Sequence, residues 1–524
     1  MKLFQKPMSS ASLRVPLLIA TSSAALALSF PPFSFWPAAY VFAAPLLYLS
    51  RRVDGFRAAA ASFAAGLLGY GVILYWIFPT VAAHTGSRVQ AALALLLLAA
   101  YPSAYLAAFV GLSGLISAKL SSRRSPAAVI AAIVAVPSLW VSLEYVRSLA
   151  FTGFSWAIAG YSQWNFLPAL WVAPYAGVFG VSFMIMLANV VVVAWLRGET
   201  GAPRKVASVA LILWLAAGIL IAAVRRNEPV SSSPDETVTV GVIQPNVDQE
   251  KKWDFRYFAE TKQKISRLVV AASASSPDLV LWPETSLTEI LAANSLPPLW
   301  MRELSAASRV PNVAGALFED GGSLYNAAVV INPDGAIAAA HKKTHLVPFG
   351  EYVPMRRLLE PHFGVFNNMG DLQKARGHTV LNIGTKKISA IICSENLYGD
   401  ITRRFAANGA EVFFVITNDA WYGRTPAAFQ HFTFNVLRAV ENSRWIVQSA
   451  NTGVSGVISA DGRIVVKTPI FEDDSFAVSV PLVGRRTFYT RYGDLFAIIC
   501  SLFATTAVIA SVAVRIRKEG ANDK

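Results

Sequence analysis

The chain has 524 residues, of which 54% are hydrophobic and only 15% charged, against roughly 25% charge in an ordinary soluble domain; a purely soluble enzyme is disfavoured. The net charge of +14 suggests nucleic acid until its distribution is considered: residues 1–226 hold 16 Lys and Arg against three acids (Asp54, Glu144, Glu199), while the remainder holds 30 basic and 29 acidic side chains. A groove for phosphate backbones needs its basic residues clustered on a folded polar surface, and here the polar part is nearly neutral, so nucleic acid is excluded as a partner.

A bilayer span needs about 20 apolar residues. In chain order, seven apolar runs fall near 11–30, 36–50, 58–78, 89–118, 127–147, 166–196 and 205–224, and an eighth near 493–515. Lys2, Lys6 and Arg14, then Arg51, Arg52 and Arg57, then Lys119, Arg123 and Arg124, then Arg197, Arg204 and Lys205, and finally Arg515, Arg517 and Lys518 fall on one side when the loops alternate. The other side carries only Arg88, Arg147, Arg225 and Arg226. The positive-inside rule then puts both termini in the cytoplasm and the polar segment between the last two spans outside it. A cleavable leader ending near Ala25-Leu26-Ala27 gives the same topology for that segment. The expected organisation is a membrane domain over 1–226 with seven spans, a polar domain over 227–490, and an eighth span with a cytoplasmic tail over 491–524. Within the fifth run, Glu144 and Arg147 lie three residues apart on one helical face. An intramembrane ionisable pair is either functional or a structural ion pair.

The polar segment alternates between two periodicities. Strands are expected near 237–244, 279–282, 312–318, 324–332, 335–340, 388–393, 412–417, 446–450, 454–459, 463–467 and 476–480, and helices over 255–274, 299–308, 401–408 and 429–442. This is the pattern of an α/β domain with helices on sheet faces. It contains no metal-ligand spacing of Cys and His and no Gly-rich phosphate loop, so no metal or cofactor is expected. In such folds catalytic groups sit where strands end. Three positions qualify: Glu284 in Trp282-Pro283-Glu284, Lys343 in His341-Lys342-Lys343-Thr344-His345, and Cys393 in Cys393-Ser394-Glu395. Singly, each is commoner as structure than as catalysis; together they specify chemistry.

The segments Leu281-Trp282-Pro283-Glu284-Thr285, Lys343-Thr344-His345-Leu346-Val347-Pro348-Phe349-Gly350-Glu351, Cys393-Ser394-Glu395 and Thr417-Asn418-Asp419-Ala420-Trp421-Tyr422-Gly423 resemble the Glu-Lys-Cys signature of the nitrilase (carbon-nitrogen hydrolase) superfamily. Combined with the spans, and with Phe151-Thr152-Gly153-Phe154, Gly160-Tyr161-Ser162-Gln163 and Gln244-Pro245-Asn246 with Lys252-Trp253, the chain is similar to the bacterial apolipoprotein N-acyltransferases. The resemblance implies an α-β-β-α nitrilase-like sandwich, extracytoplasmic, carried on eight helices in the bacterial inner membrane. It implies transfer of an acyl chain from a phospholipid to the α-amino group of the diacylglyceryl-cysteine of an apolipoprotein. It further implies Cys393 as nucleophile, Glu284 as general base and Lys343 as the cation of the active centre, with Glu351, Glu395, Asn246, Trp253, Trp421 and Ser394 in supporting or substrate-binding roles. The spacing to His345 and Pro348 selects Lys343 over Lys342.

The chemistry fits those residue types. A thiol is only a few per cent ionised near pH 7 and needs an adjacent base or cation, and the oxyanion of the tetrahedral intermediate needs a donor. Two bulky substrates sharing one thiol point to a ping-pong order. Cys500, inside an apolar run, reads as an inert core residue. Segment 355–377, with Leu358, Leu359, Phe363, Val365, Phe366 and Met369, reads either as an arm that dips into the membrane interface or as ordinary packing. Two other function classes remain: a membrane-tethered amidase or nitrilase, distinguished by release of acid or ammonia, and a transporter with an external binding domain, for which broken helices and buried charges would speak.

Overall fold

The computed structural model describes residues 9–120, 126–198, 202–226, 237–360 and 371–522. The chain divides into two units, Met1–Val224 with Asp494–Lys524, and Arg225–Gly493.

The first unit is helical. Among the described residues five stretches are long and apolar enough to cross a bilayer: Gly55–Ile73, Arg88–Ile116, Leu167–Leu196, Arg204–Val224 and Leu495–Val514. The expected second span is not one helix. It breaks into a 3-10 turn at Trp36–Tyr40 and a helix at Ala44–Leu49. Without water, the backbone groups freed by such a break must be bonded inside the protein. Asn189, fully buried, does this: its Nδ2 donates to the Ala39 carbonyl at 3.0 Å and its Oδ1 accepts from the N–H groups of Ala43 at 2.8 Å and Ala44 at 3.0 Å.

The same rule explains Glu144 and Arg147, which do not pair with each other. The helix Pro126–Leu149 is followed by a non-helical segment whose backbone these two side chains satisfy. Glu144 Oε1 accepts from the Ala159 N–H at 2.7 Å and Arg147 Nη2 donates to the Ala157 carbonyl at 3.3 Å. Gly160 N–H reaches Ser182 Oγ at 3.0 Å, and Gln163 bonds Tyr40, Ser162 and the Trp36 carbonyl. In place of a direct ion pair, one of the two alternatives the sequence left open, the side chains make two separate anchors, because the chain folds back over the helix end and offers one donor and one acceptor.

The second unit contains two sheets. Its strands are β1 Thr237–Gln244, β2 Leu279–Leu281, β3 Leu287–Ala292, β4 Asn312–Asp320, β5 Ser323–Ile331, β6 Ile337–Lys342, β7 Leu381–Ile383, β8 Lys386–Ile392, β9 Val412–Thr417, β10 Ile446–Ala450, β11 Gly456–Ile458, β12 Ile464–Lys467 and β13 Asp474–Pro481. One seven-stranded sheet runs β13-β1-β2-β4-β5-β6, with β3 also paired to β4; a six-stranded sheet runs β12-β11-β10-β9-β8-β7. The period-two pattern of β1 sends Val238, Val240 and Val242 into a core shared with Ile388, Ala390 and Ile392 of β8 and Phe414 and Ile416 of β9. Residues of opposite parity, such as Val280, Ala314, Ala316 and Val329, face a second core with Ile265, Leu268 and Val269 of helix Phe258–Ser273 and Met301 and Leu304 of helix Leu299–Ser308. Helix Ala427–Asn442, buried along nearly its whole length, packs on β11 and on the turn after β8. Sheet faces sheet, and helices cover them, as in the expected nitrilase-like sandwich.

Strand direction positions the site. β2 is parallel to β4, β4 antiparallel to β5 and β5 antiparallel to β6, so β2 and β6 end at the same edge. In the other sheet β8, β9 and β10 are parallel, so Cys393, Asn418 and Asn451 follow strand ends at one edge. The apolar arm expected over 355–377 lies in part outside the described residues: Phe363, Val365, Phe366 and Met369 are among those the structure does not describe.

Candidate active site

Glu284 follows β2 through Pro283, and the turn that carries it is tight. Thr285 sits at φ +45°, and a Cβ added at Gly315 of β4 would lie 2.4 Å from the Pro283 carbonyl and 2.5 Å from Glu284 Cα. Only a hydrogen at that position lets the turn pack down on the sheet. Gly315→Ala is therefore expected to shift Glu284 and to reduce turnover by about 10²-fold, the usual cost of a displacement near 1 Å. Overpacking of this kind costs about 1–3 kcal/mol of stability, so the protein remains folded; a steady-state assay with a parallel melting curve checks both.

The Glu284 carboxylate is buried and bonded on both oxygens. Oε1 accepts from Asn326 Nδ2 at 2.7 Å and from Lys343 Nζ at 3.2 Å, and Oε2 accepts from the Asn418 N–H at 3.0 Å. Lys343, 1% exposed, follows β6 and also donates to Glu351 Oε1 at 3.0 Å. Asn326 Nδ2 donates to that same Glu351 oxygen at 2.8 Å, while Glu351 Oε2 accepts from the Val347 N–H at 2.8 Å. Burial alone would push Lys343 towards its neutral form, but the charges of Glu284 and Glu351 outweigh it and hold the ammonium well above the usual lysine range. Burial likewise pushes Glu284 up, and the Lys343 charge with the Asn326 bond brings its carboxyl below the ordinary carboxylate range. Lys342 points elsewhere, to Asp320, as alternation along a strand requires.

Cys393 directly follows β8 as a free, buried thiol at φ +50°, a left-handed backbone that a non-glycine residue adopts only when its surroundings impose it. The strained corner turns the chain into the short 3-10 segment Cys393–Leu397. Burial, followed by the charge of Glu284, pushes the thiol well above its ordinary value, and Lys343 opposes them. Glu395 acts as a staple beside it: Oε2 accepts from the Ile392 N–H at 2.9 Å, and Oε1 accepts from the Thr344 N–H and Oγ1, both at 2.7 Å. One fully buried carboxylate thus ties the end of β8 to the residue after Lys343.

The other expected residues fall into two groups. Asn246, at φ +48°, contributes through its backbone, its N–H donating to the Asn451 carbonyl at 2.9 Å. The Ser394 hydroxyl is buried without a hydrogen-bond partner among the described residues. Trp253 and Trp421 stand at the surface, 49% and 41% exposed, unlike the buried ion cluster. Asn326 escaped the sequence reading, while Asn418, Asp419 and Lys252 entered it only within the quoted motifs, with no role given to them. Asp419 Oδ1 accepts from Thr417 Oγ1 at 2.8 Å and lies 2.9 Å from His431 Nδ1. A polar residue in the apolar run of β5 was the available signal for Asn326.

A buried cation between two carboxylates, electrostatically coupled to a thiol at a strained corner, is an arrangement that can open an acyl bond. Residues 239–487 match the carbon-nitrogen hydrolase family model, and residues 22–191 match that of the apolipoprotein N-acyltransferase N-terminal domain. The apolipoprotein N-acyltransferase of Geobacter metallireducens is 35% identical over 517 residues, 95% of each chain. That of Haemophilus ducreyi is 30% identical over 89% of this chain and 90% of its own. Among solved structures, Nit3 of Saccharomyces cerevisiae, a member of branch 10 of the nitrilase superfamily, is 16% identical, with a TM-score of 0.38 over 48% of this chain and 93% of its own. With both family domains present in order and the identity sustained from end to end, the chain belongs to the apolipoprotein N-acyltransferase family.

Proposed function

We propose that the protein N-acylates lipoproteins: it moves an acyl chain from a phospholipid, through a thioester on Cys393, to the α-amino group of the diacylglyceryl-cysteine at the N-terminus of an apolipoprotein. The Lys343 ammonium held between Glu284 and Glu351 on a chain of this family is the observation that carries the reading. In the first half Glu284 takes the Cys393 proton, the thiolate adds to the ester carbonyl, and the C–O bond breaks as lysophospholipid leaves with that proton. Lys343, with the backbone N–H of Ser394, holds the oxyanion, a contribution of about 3–4 kcal/mol to the rate per donor. In the second half the α-amino group, with a reference pKa of about 7.7–8.0, loses a proton to Glu284 and attacks the thioester; the C–N bond forms, the C–S bond breaks and the thiol is restored. Glu351 and Glu395 hold Lys343 and Cys393 in place, and Trp253 and Trp421, exposed aromatics, suit contact with lipid.

The organisation proposed with this chemistry is a membrane domain over 1–226 with seven spans, a catalytic domain over 227–490 on the extracytoplasmic side of the bacterial inner membrane, and an eighth span over 491–524. The loop charges support it. The test uses purified protein, phospholipid and a diacylated lipopeptide, comparing wild type with Cys393→Ala. A peptide heavier by one acyl chain in the first sample only is the expected result, and wild-type protein given phospholipid alone gains one acyl group on Cys393. Release of free fatty acid with no change in peptide mass would mark a hydrolase, and a protein that never carries the acyl group would exclude the ping-pong order.

A further inference from the structure

The loop after β1 carries a second buried ammonium that this scheme does not use. Lys252 ends the short helix Gln249–Lys252 and is 4% exposed. Its Nζ donates to Thr285 Oγ1 at 2.8 Å and to the Glu284 carbonyl at 3.4 Å. Among the described residues no carboxylate forms an ion pair with it. Burying a cation without a countercharge is costly, and burial accordingly pushes Lys252 down to about 8, with the Glu284 charge pulling the other way. What the cation touches is the strained turn: Thr285 is β-branched and sits at φ +45°, a backbone that needs support from outside. The turn is gripped from two directions, by the bare face of Gly315 and by Lys252. The same loop reaches Glu284 by a second route, since Gln249 Oε1 accepts from Asn418 Nδ2 at 2.9 Å, and the Asn418 N–H donates to Glu284 Oε2.

We propose that Lys252 is a positioning residue for acyl transfer: its ammonium fixes the turn at residues 284–285 so that the Glu284 carboxylate meets Lys343 and Cys393, and it adds a second positive charge beside that carboxylate. The inference rests on the reading of Glu284 as the base. The charged and titratable groups around Glu284 are Lys343, Glu351, Cys393, Lys252 and Tyr422, with Asn326 and Asn418 as neutral donors.

The test is the rate of thioester formation on Cys393, measured against pH with phospholipid alone and full-length protein, beside a melting curve for each variant. Lys252→Met is expected to lower the rate by about 10²-fold through misplacement. Loss of a positive charge raises the pKa of a carboxylate, so the acidic limb of the profile moves up by about one pH unit. Lys252→Arg keeps the charge and the wild-type limb, and Thr285→Val, which replaces the hydroxyl with a methyl group of similar size, lowers the rate without moving the limb. Lys252→Met with wild-type rate and limb would overturn the proposal, as would a rate loss accompanied by a lowered melting temperature and an unmoved limb. Should Lys252→Met not fold, a wild-type rate in Thr285→Val overturns it instead. Cys393→Ala separates this from the wider reading: if that variant still modifies lipopeptide, the thioester scheme fails whatever Lys252 does.

Discussion

Lys343→Met should lose both stability and activity, and the two losses should part company in acid. The ammonium lies 3.2 Å from Glu284 Oε1 and 3.0 Å from Glu351 Oε1, with side-chain exposures of 1%, 7% and 12% for the three residues. Removing it leaves two buried carboxylates sharing the single amide of Asn326, and they cannot both remain ionised. Breaking a buried ion pair from one side typically costs about 3–5 kcal/mol, and losing an oxyanion donor costs about 10²–10³ in rate. The pH dependence inverts. In the wild type the Glu284 carboxyl is held low, so its share of stability is present above the unfolded carboxylate pKa and is lost as pH falls through the folded value. In Lys343→Met at least one carboxyl is raised instead, so stability is greatest in acid and falls as pH rises. Both pH 5 and pH 8 lie above the unfolded carboxylate pKa of about 4.3, so the Glu284 share is the same at both in the wild type, whereas Lys343→Met should melt lower near pH 8 than near pH 5. Lys343→Met/Glu351→Gln should regain much of the stability and none of the acylation. A variant with wild-type melting at both pH values would show that the cluster is solvated rather than buried.

The parts of this molecule legible in its sequence are those where one physical demand dominates. β1 alternates because one parity faces the other sheet, and β8, β9 and β10 are runs of apolar residues because both their faces are covered. Glu284, Lys343 and Cys393 stood out as candidates because Lys343 and Cys393 directly follow β6 and β8 and Glu284 follows β2 after Trp282 and Pro283. β3 was not: Leu287–Ala292 pairs along β4 and is only partly buried, so its pattern is blurred. β7 has three residues, too few for a period. In the membrane unit, a run such as 36–50 is apolar enough for a span, and its break depends on Asn189, far away in sequence. Lys252 stood in the quoted Lys252-Trp253 pair, but its burial was illegible for a related reason. In Gln249-Glu250-Lys251-Lys252 it looks like any solvated helix turn, and only the arrival of β2 and its turn buries it. Residues whose role is to satisfy someone else's backbone carry no local signature.

Glu284→Gln should abolish most acyl transfer while making Cys393 easier to alkylate. In the proposed role of general base, Glu284 would contribute about 10²–10⁴ in rate, and the isosteric amide cannot accept the thiol proton. Its charge, however, works against the thiolate: burial and then Glu284 raise the Cys393 pKa, whereas Lys343 lowers it. Deleting the negative charge moves the thiol back towards the ordinary range; deleting the positive one moves it further away. In a Cys500→Ala background, the alkylation of Cys393 by iodoacetamide followed against pH should shift to lower pH in Glu284→Gln and to higher pH in Lys343→Met. The stability link has the matching sign. A thiol whose folded pKa is raised contributes stability that is complete below the unfolded value, about 8.5, and is lost as pH rises towards the folded one, so the cost appears only in alkali. Opposite alkylation shifts combined with a common loss of transfer separate the two roles, since a residue that merely stabilised the thiolate would slow both reactions together. Slower alkylation in Glu284→Gln, or transfer that survives it, would remove Glu284 as the base and leave Lys343 to activate the sulfur alone.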